Sequence, residues 1–298
     1  MHIRYFKSIL LHAVLILLLC CTAKNIDAQK MKTTFKNKKT TSTAVIDTGY
    51  NAPKSYKGYR LKWADEFNGT ALNLKNWSFE NGDGCPTICG WGNNELEYYR
   101  PENTSFKNGK MIIEAKKEAY GNKNFTSSKM VTRNKKVFKF GRIDFRAKLP
   151  QGQGIWPAFW MLPQHSVFGK WPQSGEIDIM ELIGKDPSKN YGTLHFGPGP
   201  GSTQLGKNIG LPTGIFNDEF HVFSLEWNEN EITWFLDGKS FSTFSKKDFG
   251  EINYPFNEDF FLIINLAVGG NWPGNPDINI YKNQLLVVDY VRVFEKKK

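Results

Sequence analysis

The sequence predicts an all-β domain, a sandwich of two antiparallel sheets of jelly-roll type. Three observations lead there. Apolar residues recur at period two over stretches of strand length, no long amphipathic helical pattern is present, and turn signals such as Asn108-Gly109 and Asp237-Gly238 separate the stretches. About a dozen strands without helices need two facing sheets to bury their apolar sides.

The N-terminus stands outside that domain. Arg4 and Lys7 precede an apolar run over residues 9–21, too short for a comfortable membrane span and shaped like an export signal. We read residues 1–28 as that signal, cleaved after Ala23 or Ala28. Cys20 and Cys21 open a second route, acylation to a cell-surface lipoprotein, although neither follows the small residue usual there. Either route exports the chain, to the medium, the periplasm or the cell surface, with no transmembrane segment left in the mature protein. Residues 29–56, rich in Lys and Thr, read as a disordered tether, and residues 57–298 as one domain.

Residues 60–67 open the domain as a strand, and residues 111–115 form another after Asn108-Gly109. Between them lie Cys85 and Cys89, the two cysteines left after processing. A disulfide closing this small loop suits an exported protein; a metal site is the weaker alternative, since no second ligand pair exists. In residues 138–149 the apolar set slips from even to odd positions at Gly141-Arg142, which marks a bend or bulge. Residues 220–227 and 231–236 follow, the second ending in Asp237-Gly238, a hairpin turn signal. Residues 260–268 are nearly all apolar and read as a central strand covered on both faces. Residues 285–294 close the domain, with Val287, Asp289, Val291 and Val293 on the side expected to face inward.

The most informative strand is Glu176-Ile177-Asp178-Ile179-Met180-Glu181, bounded by Gly175 and Gly184. Plain alternation would put Glu176 and Asp178 on one face and aim Glu181 into the apolar side, where an unpaired carboxylate is costly. One extra residue near Ile179-Met180, a β-bulge, returns Glu181 to the face of the other two acids. Two carboxyls about 5–5.5 Å apart suit retaining glycoside hydrolysis, and a third between them can spread their pKa values. The bland alternative, a calcium-binding or solvated acidic strand, weighs as much on spacing alone.

Aromatic residues make up 14% of the chain. Trp156, Trp160 and Trp171 precede the acidic strand, and Trp272 lies in Gly270-Asn271-Trp272-Pro273-Gly274. A single Trp is more often core than cleft, but loops rich in Gly and Pro favour the cleft, where indoles stack on sugar faces. Asn93, in Trp91-Gly92-Asn93-Asn94-Glu95, offers an amide either to a sugar hydroxyl or to its own turn. His195, in Gly192-Thr193-Leu194-His195-Phe196-Gly197, reads by itself as a core histidine. The net charge of +10 rests mostly on residues 1–55, which hold nine basic residues and two aspartates, and on the final three lysines. The body is therefore near neutral, without the basic patch of a nucleic-acid binder.

Taken together, these segments resemble glycoside hydrolase family 16, and within it the bacterial endo-β-1,3-glucanases called laminarinases. The resemblance runs over residues 61–294, through Trp63-Ala64-Asp65-Glu66-Phe67, Trp156-Pro157-Ala158-Phe159-Trp160-Met161-Leu162-Pro163, the acidic strand, and Asn271-Trp272-Pro273-Gly274-Asn275-Pro276-Asp277. It implies a curved, concanavalin-like jelly roll with an open cleft on the concave face, acting as a monomer on β-glucan without a catalytic cofactor. It implies Glu176 as nucleophile, Glu181 as general acid/base and Asp178 as supporting carboxylate, with Asn93, Trp156, Trp160, Trp171 and His195 lining the cleft. It also implies a structural calcium ion, held by main-chain oxygens of Glu66 and Gly109 and by the Asp289 carboxylate. An acid facing inward at Asp289 would need a cation or a hydrogen-bond partner, which agrees.

One position departs from the pattern: Lys129 stands where relatives usually carry Arg, so a planar fork becomes a point charge. The competing readings are a hydrolase of agar or carrageenan, a non-catalytic glucan-recognition protein, and a lectin-like module. Sulfated galactans would favour basic cleft loops, yet residues 154–175 contain only Lys170, and both glutamates are intact.

Overall fold

The computed structural model describes residues 47–198, 203–279 and 281–297. The export signal, the acylation candidates Cys20 and Cys21 and most of the tether lie outside the described residues. The described chain is built of strands with three short 3-10 turns. In order they are β1 (Tyr59–Asp65), β2 (Ser78–Glu80), β3 (Glu97–Tyr99), β4 (Thr104–Lys107), β5 (Lys110–Tyr120), β6 (Lys123–Ser127) and β7 (Lys129–Val131). Then come β8 (Gly141–Lys148), β9 (Ile155–Pro163), β10 (Glu176–Glu181), β11 (Lys189–Phe196) and β12 (Thr203–Gly210). The last five are β13 (His221–Trp227), β14 (Glu231–Leu236), β15 (Lys239–Ser245), β16 (Phe260–Val268) and β17 (Gln284–Lys296).

One sheet of seven strands runs β12-β11-β10-β9-β16-β7-β2, and β10 lies inside it with neighbours on both sides. The other runs β15-β14-β13-β8-β17-β5-β6-β3, with β1 on β17 and β4 on β5. All pairings between named strands are antiparallel except β3 with β6, which is parallel. The two sheets bury one apolar core between them. Phe145 of β8 stacks on Phe159 of β9 at 4.6 Å, and Phe223 of β13 meets the same ring at 6.2 Å. Strand β16 is buried along its whole length, as its apolar sequence predicts. Its second face is covered by Val131, Leu162 and Trp160 on the outer side of the seven-stranded sheet.

Three expectations change. Residues 156–163 are strand, not loop, although Pro157 interrupts the pattern that would announce one. The tether ends earlier than residue 56, because residues 47–56 lie on the ten-stranded sheet. There Tyr50 N–H donates to Phe220 O at 3.0 Å, Phe220 N–H donates to Thr48 O, and Ala52 N–H donates to the Tyr290 hydroxyl. Gly49 runs so close that a Cβ on it would sit 2.0 Å from Phe220 O. The third change is the face of Asp289. A register shift between Val288 and Tyr290 breaks the alternation of β17. Val288, Val291 and Val293 therefore enter the main core, while Asp289 meets cations on the outer side.

Candidate active site

The bulge inferred from parity is present. On the β9 side Asp178 pairs with Trp160 and Met180 with Phe159, so Ile179 is the extra residue. On the core side Trp234 of the opposite sheet donates its indole N–H to Asp178 O at 2.8 Å. Gly192 of β11 makes room for that ring, since a Cβ there would meet the indole at 2.4 Å. The bulge is thus keyed from below by a buried tryptophan, and the acids stand on the outer face of the seven-stranded sheet.

Each acid has its own partner. Trp171 N–H donates to Glu176 Oε2 at 2.8 Å, and Trp156 N–H donates to Glu181 Oε1 at 3.0 Å. Asp178, 2% exposed, sits between them with His195 Nε2 3.3 Å from its Oδ2; the same nitrogen is 3.9 Å from Glu176 Oε1. Among the described residues, no Lys or Arg forms an ion pair with any of the three. Burial is the main reason that all three carboxyls are pushed up. The neighbouring Asp178 adds to the effect on Glu176, which reaches about 8, and Glu176 adds to that on Glu181, which reaches about 7. Burial and the Glu181 charge raise Asp178 well above the carboxylate range. Near neutral pH the three therefore share protons, the condition for acid and base chemistry on one face.

The other predicted cleft residues gather around this face. Trp171 is 55% exposed beside the acids, its ring 6.1 Å from that of His195. Trp156 lies edge-on to Trp272, which also meets Tyr191. His195 is not a core histidine: it alternates outward on β11 toward Asp178 and Glu176. Trp160 donates to Asn265 Oδ1 at 2.8 Å, Asn265 donates to the Tyr99 hydroxyl at 3.0 Å, Tyr99 donates to Glu95 at 3.1 Å, and Asn93 donates to the same carboxyl at 3.2 Å. Sequence reasoning missed Asn265, Tyr99 and Glu95. The lone polar residue in an apolar strand was the available signal for Asn265. Lys129 does not point at open cleft; its Nζ is 2.9 Å from Glu80 and lies over the Trp91 ring at 4.1 Å.

Cys85 and Cys89 are disulfide-bonded, closing the loop that leads into Trp91. The calcium expectation meets a different donor set. Asp289 Oδ1 accepts Lys110 at 2.9 Å and Oδ2 accepts Arg146 at 2.6 Å, and Asp47 completes the cluster at 3.1 and 2.7 Å. The Glu66 carboxylate is held in a fork by Arg292. Two protein cations already neutralise the Asp289 carboxylate, and a divalent ion beside that side chain would be repelled. Glu176, Asp178 and His195 bring one ligand atom each within 4.8 Å, but they are the acid face itself.

The family model for glycosyl hydrolases family 16 matches residues 92–290, which include all three acids. A model of β-glucan synthesis-associated proteins matches residues 12–170 and stops short of them. A β-glucanase of Rhodothermus marinus is 40% identical over 251 residues, 79% of this chain and 85% of its own. A glucan endo-1,3-β-glucosidase A1 of Niallia circulans is 40% identical over 273 residues, 85% of this chain, which spans 40% of that protein's length. The laminarinase catalytic domain of Thermotoga maritima superposes with a TM-score of 0.76 at 41% identity, over 80% of this chain and 99% of that domain. The chain belongs to glycoside hydrolase family 16.

Proposed function

We propose that this chain is an endo-acting, retaining hydrolase of internal β-1,3-glucosidic bonds in laminarin-type glucan, with mixed-linkage β-1,3/1,4-glucan as a second substrate. The observation that carries it is the pair Glu176 and Glu181 on one face, each held by a different indole N–H, with Asp178 between them.

Trp171 occupies Oε2 of Glu176 and leaves Oε1 to attack the anomeric carbon. Glu181, raised to about 7, keeps a proton for the departing glycosidic oxygen and then takes one from water. Glu176 must be ionised to attack, although it too is raised. Asp178 resolves this: burial and the Glu181 charge favour a proton on it, and a proton there removes the charge that pushes Glu176 up. Two successive displacements then return the β configuration.

A neutral glucan suits the cleft better than a sulfated galactan. Residues 154–175 supply only Lys170, and Lys129 is spent on Glu80 and the Trp91 ring. We also infer export through residues 1–28, supported by the Cys85–Cys89 bond, which belongs to an oxidising compartment. The direct test is laminarin digestion followed by NMR of the new reducing ends. Short oligosaccharides born as β-anomers are expected; products born as α-anomers would reject the mechanism, and turnover of agarose or carrageenan instead of laminarin would reject the substrate.

A further inference from the structure

Beside the catalytic acids lies a second pair of acids that the reaction does not use. Glu95 and Glu97 are 6% and 0% exposed, two residues apart at the entry to β3, and the Glu95 charge bears directly on Glu97. Two ionised carboxylates repel at such a contact and offer no proton to share, so one of them must be a neutral acid acting as donor. Glu97 Oε1 is buried with no donor to accept from, which makes it the atom to carry the proton, while Oε2 accepts the Val268 N–H at 2.7 Å.

The pair joins the two loops that carry the cleft wall. On one side Glu95 Oε1 accepts the Asn93 amide and Oε2 accepts the Tyr99 hydroxyl, which leads through Asn265 to Trp160. On the other side Glu97 fixes Val268, where β16 runs into the loop holding Trp272. The two loops are also tied directly, through Asn271 N–H to Asn93 O at 2.9 Å and Asn94 to Asn271 at 2.8 Å. Gly270 lies against both Asn93 O and the Trp156 ring, and Trp156 holds Glu181.

We propose that Glu95 and Glu97 form a carboxylic acid–carboxylate pair that positions Asn93 and the 268–274 loop for binding glucan. Neither touches the reacting atoms; both are positioning residues, and the assignment rests on the glucan reading above. The groups facing the pair are Tyr99 on β3, Lys123 on β6 with its Nζ on Glu95 O, Lys129 on β7, and Tyr281 ahead of β17. Burial, reinforced for Glu97 by the Glu95 charge, keeps the acid neutral well beyond the ordinary carboxylate range. Alkali should ionise both, force them apart and loosen the Asn93 amide.

The test compares wild type, Glu97→Gln and Glu97→Ala on soluble laminarin across neutral and alkaline pH, measuring KM and kcat separately. The glutamine amide can donate to Glu95 while its oxygen accepts Val268 N–H, so it imitates the neutral acid permanently. Glu97→Gln is expected to keep the neutral-pH KM, and its KM should stay flat into alkali where that of wild type climbs. Glu97→Ala should raise KM about tenfold at neutral pH with kcat little changed. If alanine prevents folding, the wild-type and glutamine pH profiles still decide. Identical alkaline rises in KM, or a glutamine variant as damaged as the alanine one, would overturn the proposal. Carbon-13 NMR of labelled glutamate side chains checks the shared proton without any substrate. A neutral carboxyl that vanishes in Glu97→Gln supports the pair even if laminarin proves the wrong glucan, and its absence from wild type refutes it.

Discussion

The two outer faces of the sandwich each hold a group of buried charges, and they solve the problem of burial in opposite ways. On the ten-stranded sheet, Asp289 and Asp47 face Arg146 and Lys110, two anions against two cations, with every contact between 2.6 and 3.1 Å. On the seven-stranded sheet, Glu176, Asp178 and Glu181 face indole N–H groups and His195, and no Lys or Arg among the described residues pairs with them. The balanced cluster keeps its charges and fastens the chain. The unbalanced one cannot ionise fully near neutral pH, and that frustration is what makes proton transfer available.

The largest expected effect comes from breaking the unbalanced side. Glu176→Ala and Glu181→Ala should each lower turnover by at least about 10²–10⁴-fold, the usual worth of a positioned acid or base. They should fail differently. With Glu181→Ala, azide needs no deprotonation and should rescue activated substrates to a β-azide. With Glu176→Ala, azide should attack directly and give the α-azide. Product stereochemistry by NMR checks this, and an α-azide from the Glu181 variant would reverse the roles.

Breaking the balanced side should cost stability, not chemistry. Arg146 is fully buried, and its removal takes the partner from Asp289 Oδ2, leaves Lys110 alone against two acids and frees Tyr50 O from its partner. With Lys110 still on Asp289, Arg146→Ala should destabilise by about 3 kcal/mol, the lower end of the cost of breaking a buried pair. In a domain of this size that is a fall of about 10 °C in Tm, readable by calorimetry, with activity retained in the cold. Loss of turnover at unchanged Tm would contradict the division of labour drawn here.

A smaller effect runs in the other direction. Glu181 is raised by folding, so the folded state binds the extra proton, and stability present below about pH 4.5 is lost as pH rises through about 7. Glu181→Gln removes that loss. It should leave Tm unchanged in acid and raise it above pH 7 by a few degrees, a gain on the order of 1–3 kcal/mol. Equal shifts at both pH values would mean that the carboxyl is not destabilised by burial.

The two faces were not equally legible in the sequence. The acidic face could be read because a carboxylate at Glu181 contradicted simple alternation, and one bulge removed the contradiction. The same rule misled at Asp289, where the bulge falls at the acid itself and nothing in Val287-Val288-Asp289-Tyr290-Val291 marks it. Trp156 and Trp160 were placed near the site by their company, but Pro157 hid the strand that carries them. The segment 47–56 looked like its polar neighbours because it contacts the body through main-chain groups and a few scattered side chains, Asp47, Ala52 and Tyr56, which composition does not register.

The finest test separates a protein cation from a metal ion at Asp289. Lys110 is 5% exposed, with its Nζ on both Asp289 and Asp47, and Arg146 holds the remaining oxygens of the same two acids. A calcium ion at Asp289 Oδ1 would have to displace the Lys110 ammonium and leave a buried cation beside a divalent one, which is costly at this burial. Chelator, or added calcium, should therefore leave Tm unchanged. Lys110→Ala opens the space and restores the negative balance of the cluster, so that variant should acquire a calcium-dependent rise in Tm. Titration calorimetry of wild type and variant with calcium distinguishes the cases: heat of binding to wild type, with Tm falling on chelation, would show that Lys110 yields to the ion and that the cluster is not closed by the chain alone.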